Sequence, residues 1–158
     1  SNTATTLLML PIVLALAAFP AIARAAPCGT PGAPTGVQRK TVEVGGKSRS
    51  YVLSVPEGQR PGTPLPLVFA WHGLGSSGEQ FRANYGLEEE AAGAAIFVYP
   101  DGLPQPSLRN RPGWDLKPDG DVRFFDAIPA DLQRTGRVPS GYNRGIQLSS
   151  SVNSEIAV

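Results

Sequence analysis

His72 is the only histidine among the 158 residues, and it stands in Leu67-Val68-Phe69-Ala70-Trp71-His72-Gly73-Leu74-Gly75-Ser76-Ser77-Gly78. An apolar run that stops at His-Gly and enters a glycine-rich turn ahead of a helix-forming segment can aim backbone N–H groups at one point. The chemistry that needs such donors is acyl transfer. There a carbonyl oxygen becomes negatively charged, and one preorganised donor is worth about 3 to 4 kcal/mol. The Leu74 N–H is the natural donor, Gly73 lets the backbone turn, and His72 is placed to structure the loop through side-chain hydrogen bonds. The bland alternative is a strand-to-helix turn whose histidine is simply a satisfied buried polar group.

The other groups that acyl transfer requires are not recognisable. No Gly-x-Ser-x-Gly occurs; in Gly75-Ser76-Ser77-Gly78 the glycines stand one position too close, and these serines are expected to cap the helix that follows. Ser140 follows no apolar strand, so no nucleophile is assigned and no triad member is expected. His72 lies at the end of the strand that carries the turn, whereas a triad base must reach the serine from a separate loop. With one histidine and one cysteine far apart, neither a metal site nor a cofactor is expected. Asp101 in Pro100-Asp101-Gly102 and Asp115 beside Trp114 read as turn-forming aspartates. Trp114 is a candidate substrate-binding residue that would stack on an aromatic or sugar ring; its competing role is to anchor its loop to the core.

Positioning such a turn takes a sheet. Thr41–Val44 and Ser48–Val55 alternate polar and apolar residues around Gly45-Gly46, which predicts a tight β-hairpin at a sheet edge. Leu67–Trp71 and Ala94–Tyr99 are short, continuous apolar runs, expected as parallel strands buried on both faces. Gly78–Tyr85 and Leu87–Ala92 carry helix formers between them. Pro100–Gly120 is rich in proline and glycine and reads as one long loop without regular structure. Asp121 is expected to cap a helix with apolar positions Val122, Phe125, Ile128 and Leu132, broken or kinked at Pro129. From Arg134 onward no strand and no amphipathic period is expected.

Composition and charge exclude several function classes. At 41% hydrophobic and 17% charged residues, with a net charge of +1, the chain is an ordinary globular domain without an electrostatic footprint for nucleic acid. Residues 1–25 read as an export signal: the apolar core Leu7–Phe19 is interrupted at Pro11, and Ala23-Arg24-Ala25 supplies the small-residue cleavage site. The mature protein is expected to be secreted, extracellular or periplasmic, with no membrane association after cleavage. Residues 26–40 form a Pro/Gly-rich arm. Cys28, preceded by Pro27, is not a lipidation site; a leftover cysteine in an exported chain implies a free thiol, an intermolecular bond or a partner outside this sequence.

The ordered set Arg49-Ser50-Tyr51-Val52-Leu53-Ser54-Val55-Pro56, Pro66–Gly73, Ala95–Gly102, Gly113-Trp114 and Asp121–Asp126 resembles the exported polyhydroxybutyrate depolymerase and feruloyl esterase family of α/β-hydrolases. The resemblance covers about Thr41 to Leu132 and ends near Gln133. It implies an α/β fold, here the N-terminal part of an α/β-hydrolase (41–132): a β-hairpin plus parallel strands with covering helices. Leu67–Trp71 would lie between Ala95–Tyr99 and a nucleophile strand missing from an incomplete sheet. It further implies carboxylic ester hydrolysis on a polymeric or small ester, an oxyanion hole at Gly73 and Leu74, and a Cys28 partner in a lost segment. Residues 133–158 would then be an atypical tail, frame-shifted or disordered, and the chain alone an inactive fragment. The alternative from another class is a non-catalytic extracellular domain that binds a carbohydrate or aromatic ligand through the Pro100–Gly120 loop and Trp114.

Overall fold

The computed structural model describes residues 34–60, 62–115, 117, 120–138 and, as backbone, 145–149. The signal-like segment, Cys28 and Ser140 lie outside the described residues. In chain order the elements are β1 (Gly36–Val44), β2 (Lys47–Val55), β3 (Leu67–Trp71), α1 (Gly78–Tyr85), α2 (Leu87–Ala91), β4 (Ile96–Pro100), β5 (Leu103–Gln105), a single 3-10 turn (Pro106–Leu108), β6 (Arg111–Gly113), α3 (Asp121–Arg134) and β7 (Gly145–Ser149). β1, β2, β4, β3 and β7 form one mixed sheet in that spatial order, and β5 and β6 pair as a separate ribbon.

The hairpin forms as its glycines predict. Val44 pairs with Lys47 across a two-residue turn, and Gly45 and Gly46 take φ of 57° and 74°, the left-handed values such a turn demands at both central positions. β1 alternates half-buried and exposed residues, as an edge strand should, while β2 and β4 are buried nearly throughout.

Successive side chains of a strand point to opposite faces, and the core divides accordingly. On one face Tyr51, Leu53, Val55, Leu67, Phe69, Ile96 and Val98 pack against Phe124, Ile128 and Leu132 of α3. On the other, Val52, Val68, Ala70, Phe97 and Tyr99 pack against Phe81 of α1, with Leu87 and Ala91 of α2 beside them. The result is a three-layer α/β arrangement. β3 and β4 run parallel, joined by α1 and α2 on one face, and α3 leads from β4 back across the other face to β7. Adjacent strands whose connections leave toward opposite faces open a crevice at their C-terminal ends. Here those ends are His72 after β3 and Asp101-Gly102 after β4.

Five expectations are corrected. The sheet does not stop at β3: β7 pairs parallel along its whole length, from Leu67 opposite Gly145 to Trp71 opposite Ser149, within the stretch expected to hold no strand. The Pro100–Gly120 segment is partly regular, because Pro104 faces Pro112 in the β5–β6 ribbon. Two residues without N–H groups fit a non-hydrogen-bonded pair of an antiparallel ladder, so the prolines are compatible with it. Helix α3 runs through Pro129 to Arg134. A proline inside a helix costs about 3 kcal/mol, but burying Phe124, Ile128 and Leu132 contributes about 1.5 to 3 kcal/mol each. The buried stripe follows Phe124 and not Val122, which is exposed. Finally, Gly120 is the N-cap of α3, and the Asp121 carboxylate is engaged elsewhere.

Candidate functional site

The turn after β3 is built around the His72 ring. His72 is 1% exposed. Its Nε2 accepts the Gly102 N–H at 2.9 Å, and its Nδ1 lies 2.8 Å from the Gly73 carbonyl oxygen. An acceptor at Nε2 places the ring proton on Nδ1, so the ring donates to Gly73. Burial pushes the imidazole below its ordinary 6.5, against the opposing effects of the Gly73 carbonyl and the Asp101 charge. Both ring nitrogens of this neutral histidine are therefore occupied. His72 holds two backbone segments together and has no nitrogen left to serve as a base.

Trp114 closes the ring from the side. Its Nε1–H donates to the His72 carbonyl at 2.7 Å, and its indole lies 4.6 Å from the His72 ring and 4.7 Å, edge-on, from Trp71. The structure places Trp114 as an anchor of the β6 segment onto the turn, with part of its surface still open.

Asp101 ties the same region to its surroundings. Its Oδ1 accepts the Gly78 N–H at the start of α1, its Oδ2 accepts from Ser50 and pairs with Arg39, and its carbonyl accepts from Arg49. The carboxylate thus pins α1, β2 and β1 to the end of β4, a larger structural role than turn formation. Ser77 caps α1 as expected, its hydroxyl accepting the Gln80 N–H. Asp115 does form a turn: its Oδ1 accepts the Lys117 N–H, and its backbone exchanges hydrogen bonds with Asp121.

The donor geometry follows from these contacts. The Gly73 carbonyl accepts both the His72 ring proton and the Ser76 N–H at 3.2 Å. Across a trans peptide the Leu74 N–H points the opposite way. Leu74 is exposed, and its N–H has no hydrogen-bond partner among the described residues. The turn can therefore present one aimed donor beside the crevice. β7 ends next to it, with Ser149 opposite Trp71 in the ladder.

Sequence reasoning missed three features near this site. The first is β7 itself, whose only signal is Ile146 and Leu148 alternating with Gly145, Gln147 and Ser149. The second is the buried ion pair of Arg49 Nη2 with Asp121 Oδ1 at 2.5 Å, capped by the Phe124 ring 4.1 Å from the guanidinium carbon. The third is the Asp131 carboxylate, which accepts from Tyr51 and pairs with Lys40 and Arg134. A groove of about 400 Å³ is lined by Leu103–Pro106, Asp115 and Asp121, among others, and Trp114 does not line it. Among the described residues no three metal-binding side chains converge, and no helix is long and apolar enough to cross a membrane.

No family model matches the chain. It is 36% identical to feruloyl esterase D of Neurospora crassa, over 74% of this chain and 43% of that protein. It is 33% identical to feruloyl esterase C of Emericella nidulans, over 87% of this chain and 52% of that protein. The chain is similar in sequence to these feruloyl esterases. It spans about half the length of the curated relatives it matches.

Proposed function

We propose that this chain is the oxyanion-bearing part of a secreted feruloyl esterase with an α/β-hydrolase fold, and that Gly73 and Leu74 form the turn that stabilises the acyl oxyanion. The observation that carries the proposal is the Leu74 N–H, which has no hydrogen-bond partner among the described residues and sits on a turn locked by His72. A single N–H held in place before reaction stabilises developing charge without reorganising. Ferulate esters are favoured over polyesters because both relatives above are feruloyl esterases. The export signal read in residues 1–25 supports secretion, which suits an enzyme acting on extracellular polymers.

With both nitrogens of its only histidine occupied and no Gly-x-Ser-x-Gly, the chain offers neither a free histidine base nor an elbow serine. Its role is to bind the acyl group and hold the oxyanion donor, and it is inactive alone. Two measurements test this. Ferulate titrated into the ¹⁵N-labelled chain is expected to shift the Leu74 amide resonance saturably; a folded chain in which that resonance stays still overturns the site. Purified chain is expected to hydrolyse methyl ferulate no faster than its unfolded control, and turnover above that control overturns the inactivity.

A further inference from the structure

Two of the three residues of β6, Arg111 and Pro112, bond to the turn that carries the Leu74 N–H, and the third, Gly113, leaves room for the Leu74 side chain. The Arg111 Nη2 donates to the Leu74 carbonyl at 3.1 Å, and the Pro112 carbonyl accepts the Gly75 N–H at 2.7 Å. A Cβ on Gly113 would come within 3.1 Å of the Leu74 Cδ1. Gly75 has φ of 81°, and a Cβ there would fall 2.6 Å from the Arg111 Nη2 and 2.7 Å from its Nε. The guanidinium therefore lies where any side chain at residue 75 would stand.

We infer that Arg111 is a positioning residue for the Leu74 N–H, an inference that rests on the reading of this turn as the oxyanion donor. The direction of an N–H is set by its peptide plane, and two soft torsions at Leu74 connect that plane to the next. The Gly73–Leu74 plane is held at its carbonyl by the His72 ring and the Ser76 N–H. The Leu74–Gly75 plane is held at its carbonyl by Arg111 and at its N–H by the Pro112 carbonyl. With both planes fixed, Leu74 cannot rotate. Leu74 is 45% exposed, too loosely packed to do this by itself. An oxyanion donor must be rigid before the charge develops, and Arg111 completes the clamp from the side that His72 does not reach.

The test compares Arg111→Met, which keeps the stem over Gly75 but removes the donors, with Arg111→Lys, which keeps a donor. Both are made in the full ¹⁵N-labelled chain with ferulate as probe. In Arg111→Met the Gly75 amide, which is bonded to the Pro112 carbonyl, is expected to exchange with solvent about tenfold faster while β3 and α1 amides keep their rates, and ferulate affinity to fall by about fivefold. Arg111→Lys is expected to recover most of both. Unchanged turn exchange and unchanged ferulate affinity in Arg111→Met would overturn the inference. Faster turn exchange in the variant, with no turn amide moved by ferulate in the natural chain, would uphold the clamp and overturn the oxyanion reading.

Discussion

The Gly102 N–H donates to the Nε2 of His72 across the crevice between β4 and β3, at 2.9 Å. This bond decides the chemistry of the only histidine in the chain. It forces the proton onto Nδ1, directs that proton to the Gly73 carbonyl, and so links the end of β4 to the orientation of the Leu74 amide. A residue of the type that most often acts as a base becomes a fixed neutral bracket.

A buried neutral imidazole makes stability depend on pH in a defined direction. Burial lowers the His72 pKa below 6.5, so between the folded and unfolded values the unfolded chain binds more protons. The contribution of His72 is complete above about pH 6.5 and is lost as pH falls through the folded value. His72→Gln keeps a donor and an acceptor but does not titrate. The urea-unfolding free energy of the natural chain relative to His72→Gln should therefore narrow from pH 7 to pH 5. A gap that stays constant or widens contradicts the neutral assignment.

The Arg49 and Asp121 side chains are 4% and 5% exposed, and their ion pair joins β2 to the first turn of α3. Removing one partner leaves the other charge buried without its counter-ion. Asp121→Asn should cost about 3 to 5 kcal/mol, whereas Arg49→Met combined with Asp121→Asn should cost clearly less, because no uncompensated charge remains. Equilibrium unfolding of Asp121→Asn, Arg49→Met and the double variant checks this. Additive losses would show that the pair is not coupled.

Asp131 is a second electrostatic joint, between α3 and the hairpin. Burial by itself would raise its pKa, but hydrogen bonds from Lys40 and Tyr51 and the charges of Lys40 and Arg134 outweigh it, and the net shift is below 3.8. Its contribution is present above about pH 3.8 and is lost as pH falls through the folded value. Tyr51→Phe removes a hydrogen bond to a charged acceptor, with an expected cost of about 1.5 to 3 kcal/mol at neutral pH. That cost should shrink in strong acid, once Asp131 is protonated. A cost that does not change across the acid range would mean that the Tyr51 hydroxyl does not depend on the carboxylate.

The sequence made the layers legible wherever burial imposes a period. β3 and β4 are short apolar runs, β2 alternates, and Gly45-Gly46 demands a left-handed turn; each has a local cause, and each appears at its expected place. His72, Gly73 and Leu74 were recognisable for the same reason, since the turn is one continuous segment. What was hidden depends on partners distant in the chain. β7 carries only two apolar residues and becomes a strand by pairing with β3. The β5–β6 ribbon survives its prolines because they face each other. Asp121 looked like a cap until Arg49, far away on β2, claimed its carboxylate. The Arg111 clamp joins segments whose connection no local pattern announces.

Pro129 tests how far tertiary burial overrides local preference. Its ring takes the place of the N–H that would bond the Phe125 carbonyl four residues earlier, inside a 14-residue helix. The flanking residues Phe124, Ile128 and Leu132 are completely buried against the sheet, so the helix is held by its packed face and carries the proline as a local cost. Pro129 itself is only half-buried, and alanine there creates no cavity in the core. Pro129→Ala restores the missing bond and relieves the ring, while the unfolded chain regains some freedom that proline had removed. Helix propensity favours alanine by about 3 kcal/mol, and the unfolded-state effect offsets about 1 kcal/mol of it. The variant is therefore expected to be more stable by about 2 kcal/mol, with a higher urea midpoint and an unchanged slope. A midpoint at or below that of the natural chain would mean that the proline shapes α3 for its place on the sheet and is not a tolerated cost.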